Sequence, residues 1–139
     1  LDTHRDIFEF CKYMIHFRCN HPAIRKSIAQ SHCGFPPISQ HGVTPWDDNF
    51  TQDSKIVCTM FAGHDEKQDL EDIVYLAVNP YWESILIHLP KLPKPLQWHL
   101  AVDTSLSDTG GCTFEKEQMS HVGNDYLIGA RTVVVLTAH

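Results

Sequence analysis

Apolar residues recur with helical spacing from Thr3 to Asn20 and then give way to shorter, strand-like runs. At 100° per residue, Ile7, Phe8, Phe10, Cys11, Met14, Ile15, Phe17 and Cys19 cover roughly 200° of a helix circumference, with Glu9, Lys12, Tyr13, His16 and Asn20 opposite. That arc is wider than the stripe of an ordinary surface helix, so such a helix needs apolar neighbours on more than one side. Thr3, with Asp6 three residues later, suits the N-terminus, and Asn20-His21-Pro22 suits the stop, because the residue before proline avoids helical angles. Arg18 falls inside the apolar arc, where a guanidinium must be paired or must snorkel to water.

From Ala29 to Asp53 the chain is rich in Ser, Gly, Pro, Gln and Asp and reads as a long connection. After Ser54 the pattern becomes β. Lys55 to Phe61 is a strand ended by Ala62-Gly63-His64-Asp65, and the acidic stretch up to Asp72 is a turn or longer loop. Ile73 to Asn79 is a near-continuous apolar run, the mark of a strand covered on both faces or central in a sandwich. Ser84 to Leu89 is a further strand, and Pro90, Pro93 and Pro95 mark a link. Trp98 to Asp103 alternates, with Trp98, Leu100 and Val102 on one face and His99 and Ala101 on the other. Gly110-Gly111 is a turn, while Tyr126 to Ile128 and Thr132 to Thr137 make a terminal pair split by Gly129. The predicted fold is mainly β: an antiparallel β-sandwich of Greek-key type preceded by one N-terminal α-helix.

The chain has 139 residues, enough for one domain with a real core but short of the ~250 residues of an eight-stranded α/β barrel. A formal charge of −6 without a basic block excludes a nucleic-acid groove. No stretch reaches the ~18 apolar residues of a membrane span. The five cysteines lack any C-x-x-C spacing, which fits free thiols in a reducing cytoplasm. With Leu1 as its first residue, the chain reads as a piece of a larger protein.

Candidate chemistry is thin. Ten histidines show no metal-ligand spacing; His32 with Cys33 and His64 with Asp65 are neighbours without a second spaced pair. There is no G-x-S-x-G elbow and no phosphate-cradling glycine loop, so neither a metal nor a cofactor is expected. Glycoside hydrolysis needs two carboxyl groups flanking one bond, and Asp47, Asp48, Asp69, Glu71 and Asp72 lie in stretches of solvated composition. Trp46, Tyr81 and Trp82 are candidate sugar platforms, since a flat ring stacks on the apolar face of glucose, whereas Trp98 reads as core.

Three segments carry a family resemblance: Phe17-Arg18-Cys19-Asn20-His21-Pro22-Ala23-Ile24-Arg25, Ile38-Ser39-Gln40-His41-Gly42-Val43, and the series Asn79, Trp82-Glu83 and Val102-Asp103-Thr104-Ser105. In this order they resemble the C-terminal region of isoamylase-type glycogen debranching enzymes of the α-amylase superfamily. There the last barrel helix ends in an arginine followed by His-Pro-Ala-Leu-Arg, and a Trp-His-Gly segment precedes the first long sandwich strand. Gln40 stands here at the tryptophan position. The resemblance implies that residues 1–28 are the terminal helix of a catalytic barrel lying upstream, 29–53 a connecting loop and 54–139 the β-sandwich. The family's nucleophilic aspartate, acid glutamate and transition-state aspartate belong to barrel strands, so none maps onto this chain. The expected partner is that barrel in the same parent chain, with α-glucan as the parent's substrate. An autonomous starch-binding module is the alternative reading. In isolation the wide apolar helix is expected to drive homodimerisation.

Overall fold

A computed structural model describes residues 2–25, 29–46, 56–67, 69–94, 96–105 and 119–139, with residues 2–7 and 25 described through their backbone only. Asp47, Asp48, the Gly110-Gly111 turn and Cys112 lie outside the described residues. The first helix, α1 (Asp2–Asn20), ends where Pro22 forbids its continuation, and a single turn, α2 (Pro22–Arg25), follows. The strands are β1 (Ile38–His41), β2 (Val57–Asp65), β3 (Leu70–Asn79), β4 (Ile85–His88), β5 (Trp98–Asp103), β6 (His121–Val122), β7 (Asp125–Ile128) and β8 (Thr132–Ala138).

Every pairing is antiparallel. One sheet runs β1-β2-β3-β8-β5-β6, and the second is the pair β4-β7. The chain leaves the large sheet after β3, returns at β5, and inserts its last strand between β3 and β5, which is the Greek-key character expected. The sheets enclose a core of Cys58, Met60, Ile73, Tyr75, Ile87, Trp98, Ile128, Val134 and Leu136, all buried. Trp98 is core as its phase predicts, and its indole N–H donates to the Pro90 carbonyl at 3.0 Å. The Tyr75 hydroxyl, also buried, finds no oxygen or nitrogen partner among the described residues and meets only the Cys58 thiol, a weak hydrogen-bonding group.

β3 explains its own unbroken apolar run. Ile73, Tyr75 and Ala77 face the sandwich core, while Val74 and Leu76 face α1. The helix lies on the outer face of the large sheet through Phe10, Tyr13, Met14 and Phe17, spaced i, i+3, i+4, i+7, against Val74, Ala101, Val102 and Val135. Tyr13 therefore belongs to the docked face, not to the polar face its sequence phase suggested. Its ring packs in the cluster and its hydroxyl donates to the Ala101 carbonyl at 3.3 Å. A bulge between Leu100 and Val102 frees that carbonyl and breaks the expected alternation. Val102 consequently joins the helix-side cluster with Ala101 instead of following Trp98 and Leu100 inward.

Three other boundaries differ from expectation. β2 continues through Ala62-Gly63-His64-Asp65, because each finds a ladder partner in β3 down to Asp65 opposite Leu70. Ile38–His41, inside the supposed connection, is the edge strand of the large sheet and pairs with Phe61 to Cys58. β7 and β8 do not pair with each other: β7 joins β4 in the second sheet and β8 joins β3 and β5. Gly129 to Arg131 make the passage between sheets. A Cβ at Gly129 would lie 3.2 Å from Thr132 Oγ1 and 3.3 Å from Ser105 Cβ, and Arg131 takes a left-handed φ of 50°.

Candidate functional site

The residues that carry the resemblance turn out to be polar staples. His21 Nδ1 donates to Asp72 Oδ1 at 2.7 Å, and the Ala23 N–H donates to Asp72 Oδ2 at 2.9 Å. One carboxylate thus fixes the corner between α1 and α2 to β3. Asn79 is fully buried; its Nδ2 donates to the carbonyls of Glu83 (3.0 Å) and Gly129 (2.9 Å), and its Oδ1 accepts the Tyr81 N–H at 3.0 Å. Asp103 accepts from the Ser105 N–H (3.0 Å), the Ser105 hydroxyl (2.6 Å) and the Tyr126 hydroxyl. Burial first, and then this bond to Asp103, push the Tyr126 phenol above its ordinary range. Thr104 Oγ1 accepts the Val133 N–H at 2.9 Å. The Asp103-Thr104-Ser105 turn is local, but its carboxylate reaches the other sheet through Tyr126.

The Asn79 hub displays two of the candidate aromatics. Arg131 N–H donates to the Tyr81 carbonyl at 2.9 Å, so the turn is held from both ends. Trp82 is 64% exposed, with its ring centroid 5.5 Å from that of the half-buried Tyr81. Trp46 does not join them. It sits at the edge-strand end of the sandwich with a left-handed φ of 68°, its ring 5.8 Å from Phe35 and 4.6 Å from His41. His41 is the inward residue of the Gln40-His41-Gly42 segment: its Nδ1 accepts the Trp46 N–H at 2.8 Å, its Nε2 lies 2.7 Å from Ser39 Oγ, and its ring packs on Tyr75. Burial pulls its pKa below the usual histidine value. Gln40 points outward, where its carbonyl oxygen accepts the Thr59 hydroxyl at 3.0 Å.

Two concavities flank α1. A cleft of about 280 Å3 is lined by Tyr13, Phe17, His21, Asp72, Met119 and His139 among others. A second groove, about 420 Å3, is walled by Met14, Ile15, Phe61, Val74, Leu76 and Val135, with Arg18 at its rim. Arg18 is exposed and has no carboxylate partner among the described residues, so it snorkels. Beside the groove, Ile15 is 67% and Phe8 64% exposed.

A third cluster escaped sequence reading. An isolated bridge joins Ala29 to His64, and it brings the segment 29–35 against the β2–β3 hairpin. Glu71 there accepts the Ser31 hydroxyl, the Cys33 N–H at 3.1 Å, and His64 Nδ1 at 2.8 Å, while His64 Nε2 lies 3.0 Å from Asp69 Oδ1. Burial pushes Glu71 up, but these bonds together hold it below the usual carboxylate range. The bond to Glu71, and then that to Asp69, raise His64 against the opposing effect of burial. His32 stacks on His64 with ring centroids 3.7 Å apart. No spacing rule signals such a set, because its members come from a loop and from both arms of a hairpin.

These contacts consume the buried acids. Asp72, Asp103 and Glu71 each serve two or more structural donors, so none is a free acid or base, although Asp72 and Glu71 also line the cleft beside α1. Among the described residues no helix is long and apolar enough to cross a membrane. No family model matches the chain. Pepsin F of Oryctolagus cuniculus is 31% identical over 106 residues, covering 73% of this chain and 27% of pepsin F. The chain therefore spans about a quarter of the length of that curated relative, which is too little to place it in the same family.

Proposed function

We propose that this chain is a noncatalytic C-terminal domain of a glycoside hydrolase acting on α-1,6-glucosidic branch bonds of glycogen or a related α-glucan. On this reading residues 1–28 contain the last helix of the upstream barrel, and the sandwich stabilises that barrel. The observation that carries it is the two-sided character of α1. One face is docked on the sheet through Phe10, Tyr13, Met14 and Phe17, while Phe8 and Ile15 stand exposed beside an apolar groove. A helix built only to cap this sandwich needs no second apolar face. The motif residues His21, Asn79 and Asp103 act as architecture in this chain, as expected of a domain whose partner does the chemistry. Cys11, Cys19, Cys33 and Cys58 are free thiols, which supports a cytoplasmic parent.

The isolated chain should release no reducing ends from branched α-glucan, should bind an apolar dye, and should self-associate through α1. Ile15→Lys should reduce both dye binding and self-association. A wild-type chain that is monomeric and dye-silent at high concentration would contradict the reading.

The exposure of Trp82 on a turn fixed by Asn79 favours a second reading, an α-glucan contact at Tyr81 and Trp82. Trp82→Ala should then lose retention on immobilised starch at unchanged thermal midpoint. A wild-type chain that is not retained would remove it.

A further inference from the structure

We propose that His32, His64 and Glu71 form a binding site for a divalent transition-metal ion of the zinc class, with Asp69 as the outer partner of His64. Each residue offers one ligand atom, and these atoms lie within 4.8 Å of one another. Ligands on a tetrahedral zinc with ~2.1 Å bonds stand about 3.4 Å apart, so the set must close by up to about 1.4 Å. His32 can supply that movement, because it is exposed, while His64 Nδ1 and Glu71 Oε2, now 2.8 Å apart as a hydrogen-bonded pair, must open by about 0.6 Å to admit an ion. Closure also requires His32 to leave its stack. Rings inclined by only 13° cannot both aim their in-plane lone pairs at one ion.

His64 is already wired as a metal histidine. Its Nε2 lies 3.0 Å from the Asp69 carboxylate, the second contact that fixes tautomer and ring orientation in metal sites. Its Nδ1 lies 2.8 Å from Glu71. Facing a carboxylate, Nδ1 donates to Glu71 in the ion-free chain. An ion that binds Nδ1 displaces that proton, which passes to solvent. The ion would bind Nδ1 of His64, a Glu71 oxygen and His32, and so pin the segment 29–35 to the hairpin of β2 and β3. The site is independent of the debranching reading, and its failure would leave that reading untouched.

The test is titration of the purified chain with Zn2+ and Co2+, followed by calorimetry and by the visible spectrum of cobalt. We expect His32→Ala and Glu71→Gln to weaken zinc binding at least ~10-fold and Asp69→Asn about 10-fold. Proton release, read in buffers of different ionisation heat, should fall with them. His32→Ala removes an exposed side chain and should fold normally, which circular dichroism checks. His99, stacked at 4.0 Å on His139 and 5.9 Å from His121, is the competing histidine group. Zinc binding that survives His32→Ala and Glu71→Gln but is lost in His99→Gln would overturn the proposal, as would no binding by the wild-type chain.

Discussion

Removing the Asn79 side chain should be among the most damaging single changes outside the apolar core. Asn79 is fully buried and makes three firm bonds: to the Glu83 carbonyl at 3.0 Å, to the Gly129 carbonyl at 2.9 Å and from the Tyr81 N–H at 3.0 Å. A longer contact reaches the Ile128 carbonyl at 3.5 Å. With a net ~0.5–1.5 kcal/mol per bond, Asn79→Ala should cost about 2–4 kcal/mol, the upper end applying where the abandoned carbonyls cannot reach water. Asn79→Asp preserves the shape but turns an acceptor oxygen toward the Glu83 and Gly129 carbonyls, and should cost at least as much. Urea unfolding followed by tryptophan fluorescence reads the loss as a lower midpoint at unchanged slope. The Ala variant should also loosen the turn, so that Trp82 becomes more readily quenched while the buried Trp98 does not. A loss below ~0.5 kcal/mol, or an Asp variant as stable as wild type, would refute the reasoning.

Tyr75→Phe should stabilise the domain by up to ~1 kcal/mol, because among the described residues the buried hydroxyl meets only the weak Cys58 thiol; destabilisation in thermal unfolding would mean that the hydroxyl is satisfied after all. His41 is buried neutral with its pKa lowered from 6.5, so the folded state binds fewer protons than the unfolded one. Its contribution is complete above pH 6.5 and is lost progressively as pH falls from there toward the folded value; His41→Gln should flatten the acid limb of a stability profile, and an unchanged limb would contradict this. Phe8→Lys should reduce self-association at unchanged thermal midpoint, whereas Phe10→Lys strikes the docked face and should lower the midpoint as well; equal midpoints would show that Phe10 is not docked. Burial pushes the Cys58 thiol up to about 11, so a thiol reagent at neutral pH should label Cys11 and Cys19 first, and fast labelling of Cys58 would contradict its burial.

What the sequence disclosed follows from local physics. The stop at Asn20-His21-Pro22 is a steric effect of proline, the continuous run of β3 records burial on both faces, and the phase of Trp98 with Leu100 marks the inner face of β5. What it withheld depends on partners distant in the chain. Nothing near Ile38 announces that Phe61 will pair with it, and nothing in Tyr126 to Ile128 says that β4 is its neighbour. The bulge at Ala101 is invisible because apolar residues occupy both faces of β5, so Val102 can turn outward without a local penalty. Tyr13 was placed on the polar face by its hydroxyl, although its ring is apolar and the bulge supplies the acceptor. Of the candidate aromatics, Tyr81 and Trp82 follow Pro80, whose fixed φ suits a turn, while nothing local signals the tether from Trp46 to His41. The His32, His64 and Glu71 cluster had no signal at all, since only the β2–β3 register and the Ala29 bridge assemble it.

The most direct measurement is to read the natural coding sequence upstream of the Leu1 codon and express what it encodes. A C-terminal debranching domain requires an α/β barrel there, with a glutamate and two aspartates at the ends of its strands. The expressed protein should bury Phe8 and Ile15, seen as their protection from surface labelling relative to the isolated chain. An upstream sequence without a barrel, or a longer protein in which both side chains remain as exposed as here, would contradict the proposal.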